Sequence, residues 1–151
     1  MRPFTLLVFA TLLSHPVAAV EPGKLPTVEN ADWSGRCGEC HVLYHPGLLP
    51  ERSWRKIMES PKRHFGRNIG TRPVDAGITE FLVRNAADRS SHPISVAITA
   101  SISRWDKPES ISSTDWFAQV HRKLPKVKHF HQCRDCHQSA GNGDFTVSHA
   151  N

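Results

Sequence analysis

The chain has 151 residues, with 19 lysines and arginines against 14 aspartates and glutamates, and therefore a formal net charge of +5. It has no dense basic run and no interleaving of basic with aromatic residues, which argues against a nucleic-acid-binding surface. Aliphatic residues are sparse and there are 11 prolines. We therefore expect a modest core to which another apolar group contributes bulk.

The first 19 residues are typical of a secretory signal peptide. Arg2 provides a basic start, residues 4–13 form an apolar run, and residues 17–19 (VAA) supply the small residues of a cleavage site after Ala19. The run is shorter than the ~20 apolar residues that span a bilayer, and no later stretch is long enough. We predict a periplasmic protein that does not span the membrane after cleavage.

The segment that follows contains one predicted helix. Residues 20–31 are expected to be extended. Residues 50–59 predict a helix that begins at Pro50, and residues 60–61 (SP) interrupt it. The apolar side chains expected on one face of this helix are Trp54, Ile57 and Met58.

Two further helices are predicted beyond residue 70. Residues 74–87 carry an apolar stripe with helical spacing, and residues 113–115 (STD) are expected to cap a short helix that runs to about Arg122. Residues 88–113 between them are interpreted as a connector with one extended segment at residues 94–98. The members of the stripe are Ile78, Phe81, Leu82 and Val83.

The four cysteines lie in two identical motifs. Residues 37–41 (CGECH) and 133–137 (CRDCH) both have the spacing C-x-x-C-H, the attachment signature of c-type haem. Two thiols add to the vinyl groups of the porphyrin, and the histidine that follows is held under the iron as proximal ligand. We predict two covalently bound haem c groups, attached through Cys37, Cys40, Cys133 and Cys136, with His41 and His137 as iron ligands.

Three other interpretations of the cysteines are less suitable. Cysteine pairs that share one zinc ion lie roughly 15–20 residues apart, much closer than these two pairs. Thioredoxin-like motifs occur in a βαβ context, which the sequence lacks. Disulfides suit an exported protein but do not explain a histidine at the same place in both motifs.

These features predict a mostly α fold. We expect a small dihaem, class I-like cytochrome c with two haem-centred helical lobes and long irregular connections. The N-terminal haem lobe is predicted to comprise residues 20–90, and residues 91–151 are predicted to form the connector and the C-terminal haem lobe.

Each iron also needs a ligand on its second face. His64 follows Ile57 by seven residues and would share its face if the helix continued, so we favour His64 for the N-terminal haem. His121 lies one turn after Phe117 on an apolar face and is far enough from Cys133 to reach the other side of the C-terminal haem. A crossed pairing, with His121 on the first haem and His64 on the second, stays open.

The remaining candidates for this second position are weaker. Met58 is more typical of core filling, and His92 is expected to be solvated in a loop. The others lie on the proximal side, too close to a cysteine, or near a terminus that is expected to fray. These are His45, His129, His131 and His149.

Several segments resemble, in the same order, the bacterial dihaem cytochrome c family. The most specific is residues 37–54, in which CGECHV runs into PGLLPERSW. The resemblance implies a periplasmic carrier that takes electrons from a membrane b-type cytochrome or the quinol pool and reduces a soluble haem protein. The supporting segments are residues 64–66 (HFG), 82–88 (LVRNAAD), 115–121 (DWFAQVH) and 136–145 (CHQSAGNGDF).

Electron transfer is therefore the predicted function, without catalysis of substrate chemistry. The alternatives are a small dihaem enzyme, such as a peroxidase, and a gas-binding haem protein with one open iron site. Enzymes of that kind are larger and need acidic and basic groups placed over the open iron. Binding of carbon monoxide would distinguish an open site from a closed one.

Overall fold

The computed structural model describes residues 23–122 and 132–147, so the predicted signal segment 1–19 lies outside the described residues. The architecture is mostly α, as predicted. Within these ranges there is no strand beyond two isolated bridges, Lys24 with Asp144 and His64 with Arg67. None of the described helices is long and apolar enough to cross a membrane. The α-helices are α1 (Ala31–Gly38), α2 (Glu51–Glu59), α3 (Asp75–Arg84), α4 (Pro93–Ala100) and α5 (Asp115–His121).

Helix α1, which carries the first cysteine, lies in a segment for which no helix is predicted. Its cap is Asn30, whose side-chain oxygen accepts a hydrogen bond of 2.8 Å from the backbone N–H of Trp33. Trp33 is buried and packs on Phe81, with ring centroids 5.2 Å apart. The local pattern that indicates this helix in the sequence is the capping residue Asn30 followed by an acidic residue, Asp32, in the first turn.

Helices α2 and α3 confirm their predictions and pack against each other. Pro50 precedes α2, which ends before Pro61 because proline cannot donate the next backbone hydrogen bond. The apolar stripe of α3 is buried as predicted. The premise that α2 continues to His64 is wrong, because a short 3-10 turn, Pro61–Arg63, intervenes.

The segment predicted to be extended at residues 94–98 is helical instead and belongs to α4. The β-branched residues there favour a strand by propensity, but tertiary context overrides so weak a preference. Pro93 occupies the first turn, and His92 Nδ1 accepts a hydrogen bond from the Ile94 N–H at 3.3 Å. Ile98 is fully buried. His92 is only 7% exposed, so its interpretation as solvated is wrong.

Helix α5 begins at the predicted cap. The Thr114 hydroxyl accepts a hydrogen bond of 3.2 Å from the Phe117 N–H, and Phe117 is buried. With seven residues, α5 is too short to be stable in isolation. Its stability therefore depends on the cap and on the burial of Phe117.

The described core consists of two apolar clusters. The first is built around α1, α2 and α3 and contains Trp33, Trp54 and Ile78. The second combines Leu25, Leu48, Ile98, Ile111 and Phe117. Tyr44 packs against both clusters. The division into lobes at residue 90 stays a prediction.

His45 contacts residues that lie near both ends of the described chain. It is 5% exposed; its Nδ1 accepts from the Gly47 N–H at 3.0 Å, and its Nε2–H donates to the Pro26 carbonyl at 2.8 Å. Gly143 has φ +77°, and a Cβ at this position would lie 2.8 Å from His45 Cδ2. Glycine is therefore required at residue 143 for both conformation and close approach.

Candidate functional site

The first C-x-x-C-H motif begins in the last turn of α1. Cys37 is half-buried against the first apolar cluster, whereas Cys40 and His41 lie beyond the helix and are exposed. Burial raises the pKa of the Cys37 thiol to about 11. Before any covalent bond forms, the thiol is therefore in its neutral form at neutral pH.

The His41 ring is oriented by the backbone of its neighbour. Its Nδ1 lies 2.7 Å from the Val42 carbonyl oxygen. A carbonyl only accepts, so Nδ1 carries the hydrogen and Nε2 has the free lone pair. Metal-binding histidines have this arrangement, in which the second nitrogen fixes the tautomer and the ring orientation.

His64 lies opposite His41. The two ring centroids are 6.1 Å apart, and the ring planes differ by 23°. Two imidazoles on opposite faces of one metal ion, each with a metal–nitrogen bond of about 2 Å, would have their centroids about 6 Å apart. Burial, together with the nearby His41, lowers the pKa of His64 and so favours the neutral form that binds metals.

The second motif forms a tight turn. Residues Cys133–Asp135 are a 3-10 turn, and the His137 N–H donates to the Cys133 carbonyl at 2.8 Å. Cys133 is half-buried and Cys136 is exposed, as in the first motif. Burial raises the pKa of the Cys133 thiol.

His121 lies opposite His137, with ring centroids 6.3 Å apart and ring planes at 90°. His121 Nδ1–H donates to the Phe117 carbonyl at 3.0 Å, so Nδ1 carries the hydrogen and Nε2 carries the ring lone pair. Its ring also stacks on Phe117, with centroids 3.9 Å apart. The spacing again matches two axial ligands of one metal ion.

Three of the other candidates for the second ligand position have different contacts in the described part of the chain. Met58 packs against the first apolar cluster. His45 and His92 are buried, and each accepts a hydrogen bond from a nearby backbone N–H. His129, His131 and His149 lie outside the described residues.

These residues fit haem better than the competing groups. The four cysteines are free in the structure, and each pair stands directly before a histidine. In the described ranges, no three His, Cys, Asp or Glu side chains are placed to bind a metal ion by themselves. A porphyrin supplies four nitrogen ligands of its own, so a histidine pair completes its iron. His137 Nδ1 is buried without a hydrogen-bond partner among the described residues. The His137 ring lies beside the Phe145 ring, with centroids 5.9 Å apart.

Comparison with known proteins agrees with this interpretation. A family model for dihaem cytochrome c (DHC) matches residues 33–145. A search of curated proteins gave no match.

Solved structures of dihaem cytochromes resemble the chain over most of its length. A diheme cytochrome c from Rhodobacter sphaeroides is 31% identical, with a TM-score of 0.66 over 78% of this chain and 98% of its own. A crystal structure of DHC purified from Rhodobacter sphaeroides is 30% identical, with a TM-score of 0.61 over 79% and 99%. The diheme cytochrome of Shewanella baltica is 32% identical, with a TM-score of 0.60 over 78% and 87%.

The matched region contains both C-x-x-C-H motifs and all four histidines that face each other in pairs. Membership of the dihaem cytochrome c family implies two c-type haems with iron and is consistent with electron transfer. The chain belongs to the dihaem cytochrome c family.

Proposed function

We propose that this protein is an exported electron carrier in which histidines bind both faces of each haem iron. His41 and His64 would bind the N-terminal iron, and His137 and His121 the C-terminal iron. The observation that carries the proposal is the spacing of the two pairs, with ring centroids 6.1 Å and 6.3 Å apart. The same spacing favours this pairing over the crossed one. The thioether bonds would be formed by Cys37, Cys40, Cys133 and Cys136.

This coordination suits electron transfer. An iron with strong ligands on both faces is closed and low-spin, so it can change oxidation state without gaining or losing a ligand. Two histidines also keep the reduction potential low compared with a histidine–methionine pair. Met58 remains a core residue in this proposal.

For the partners, we propose a membrane b-type cytochrome as donor and a soluble haem protein as acceptor, with this protein carrying electrons between them in the periplasm. The signal-like residues 1–19 and the family membership support this placement. The surface near His64 carries exposed Lys62, Arg63 and Arg67, and exposed Glu39 lies just before His41. Charges of this kind favour brief, salt-sensitive docking.

The ligand assignment is tested by opening each iron separately. His64→Ala and His121→Ala should each convert one of the two haems to high spin and allow that haem to bind carbon monoxide after reduction, with both haems still attached. Electron paramagnetic resonance of the oxidised protein and optical titration with carbon monoxide measure these effects. The matched control is His92→Ala, which removes a buried histidine that does not face a proximal histidine.

Two results would contradict the assignment. Both haems could stay low-spin in His64→Ala or His121→Ala, with His131→Ala opening an iron instead. Alternatively, the unmodified protein could bind carbon monoxide readily, which would favour the enzyme or gas-binding alternative. A charge-transfer band typical of methionine ligation would implicate Met58.

The partner proposal is tested by stopped-flow mixing. The reduced protein should reduce a monohaem cytochrome from the same cell faster than an unrelated one, and the rate should depend on salt because the docking is electrostatic. Equal rates with the two acceptors would refute the proposed partner and leave the iron ligands unaffected.

A further inference from the structure

The two distal histidines are carried by different kinds of structure. His121 is the last residue of α5, and both its Nδ1–H and its ring face are engaged by Phe117. His64 follows a 3-10 turn and precedes residues 65–74, all of which are exposed. A segment with so little burial is not held by apolar packing. The contacts that the protein itself provides to position this segment are therefore polar.

A single guanidinium supplies such contacts. Arg36 Nη2 donates to the Ile69 carbonyl at 3.1 Å and to the Gly70 carbonyl at 2.8 Å, and its Nε donates to Asp75 Oδ1 at 3.1 Å. The side chains of Arg36 and Asp75 are only 8% and 13% exposed. Charge-assisted hydrogen bonds in such a partly dry setting are stronger than those at an open surface.

Arg36 connects the two halves of the N-terminal iron site. It directly precedes Cys37 in α1, so it is part of the helix that begins the first haem motif. Asp75 is the first residue of α3, and its second carboxylate oxygen accepts from the Arg72 N–H at 2.8 Å. The far end of the exposed segment is therefore tied to the cysteine-bearing helix.

Hydrogen bonds link the two ends of the exposed segment, so the contacts of Arg36 with its far end also restrain His64. The Ile69 N–H donates to the Pro61 carbonyl and the Arg67 N–H to the His64 carbonyl, both at 2.9 Å. Phe65, with φ 47°, makes the reversal in a left-handed conformation that is unfavourable for its side chain. Contacts from outside the segment are needed to maintain such a conformation.

We propose that Arg36, held by Asp75, is a positioning residue that keeps His64 opposite His41 and thereby keeps the N-terminal iron closed. This inference rests on the proposed role of His64 as a ligand. We call the hydrogen bonds of Arg36 to Asp75 and to the Ile69 and Gly70 carbonyls the clamp. Loss of the clamp should release His64 for part of the time while both haems stay covalently attached.

The test uses the full-length protein with both haems. Arg36→Met combined with Asp75→Asn removes the clamp without leaving an unpaired buried charge, which would be strongly destabilising. We expect high-spin iron in a fraction of one of the two haems, and carbon monoxide binding several-fold faster than in the unmodified protein. Both signals should move toward those of His64→Ala.

Two further variants separate positioning from general stability. Arg36→Lys keeps a charge beside Asp75 but cannot bond the two carbonyls with the geometry of a guanidinium, so it should give an intermediate rate. Glu51→Gln with Arg89→Met removes an ion pair of 2.6 Å elsewhere on the surface and should behave as the unmodified protein.

The outcomes discriminate between the two proposals. If the Arg36→Met, Asp75→Asn protein stays low-spin and closed to carbon monoxide while His64→Ala opens, the clamp is refuted and the ligand assignment stands. If His64→Ala also stays closed, both ideas fail. Should the double variant attach fewer than two haems, Arg36→Lys decides, because a carbon monoxide rate equal to that of the unmodified protein would refute the clamp.

Discussion

At the scale of single residues, His45 shows how burial determines the role of a histidine. It follows the first haem motif by four residues, yet both of its ring nitrogens are occupied by the backbone, at Gly47 and at Pro26. Burial opposes protonation most strongly, the hydrogen bond to the Pro26 carbonyl favours it, and the charge of nearby His92 opposes it to a smaller extent. The net effect lowers the pKa of His45 below its ordinary value of 6.5.

This shift predicts a loss of stability in mild acid. The unfolded chain binds a proton at His45 more readily than the folded chain, so the stabilisation is complete above pH 6.5 and is lost as pH falls through the lowered pKa. His45→Asn keeps an acceptor for the Gly47 N–H and cannot titrate. The variant should therefore lose less stability than the unmodified protein between about pH 8 and about pH 5. Denaturant unfolding measures this, and equal losses in the two proteins would show that His45 does not contribute.

At the scale of elements, α5 is a short helix that positions a proposed iron ligand. It has seven residues, and His121 is its last. Its capping threonine and its buried Phe117 lie within the first turn, so the helix is held at the end opposite the proposed ligand. The Phe117 carbonyl then connects the buried turn to the His121 ring.

Removing the cap should weaken this helix measurably. Thr114→Ala leaves the Phe117 N–H without its partner and should lower the free energy of unfolding by about 0.5–2 kcal/mol. Thr114→Ser retains the hydroxyl and should recover most of that loss. Thermal or denaturant unfolding followed at the haem absorption band measures both. An alanine variant as stable as the serine variant would mean that the cap contributes little.

At the scale of the whole molecule, the two haem motifs are attached to different parts of the core. Cys37 packs against the first apolar cluster, and Phe145, which neighbours His137, packs against the second. Tyr44 contacts both clusters and lies 5.3 Å from the His41 ring. The two sites are therefore adjacent but are built from largely separate residues.

This separation predicts that one haem can be lost without the other. Replacing Cys133 and Cys136 by Ala should yield a protein with one covalent haem, the N-terminal one, by intact mass and by the pyridine haemochrome assay. The mirror variant, with Cys37 and Cys40 replaced, should retain the C-terminal haem. Two haems in either variant, or haem extractable by acid acetone from the unmodified protein, would contradict covalent attachment at these motifs.

Features that depend on neighbouring residues could be predicted from the amino-acid sequence. The C-x-x-C-H spacing predicts haem attachment because the chemistry needs two thiols and a histidine within five positions. Helices α2, α3 and α5 were predictable because their caps, prolines and apolar stripes are local signals. Sequence also selected His64 and His121, although the continuous helix assumed for His64 is absent.

Other features depend on packing in the folded chain and could not be predicted from local patterns. Residues 94–98 are helical because the burial of Ile98 and the cap at His92 outweigh a β-branched composition. His45 became a buried backbone partner because Pro26 and Gly143, which are remote from it in sequence, contact it. His64 reaches His41 because the chain reverses at Phe65 and Arg36 binds the far end of the segment. The contacts of His41 with His64 and of Arg36 with Gly70 join residues 23 and 34 positions apart, and no local pattern encodes them.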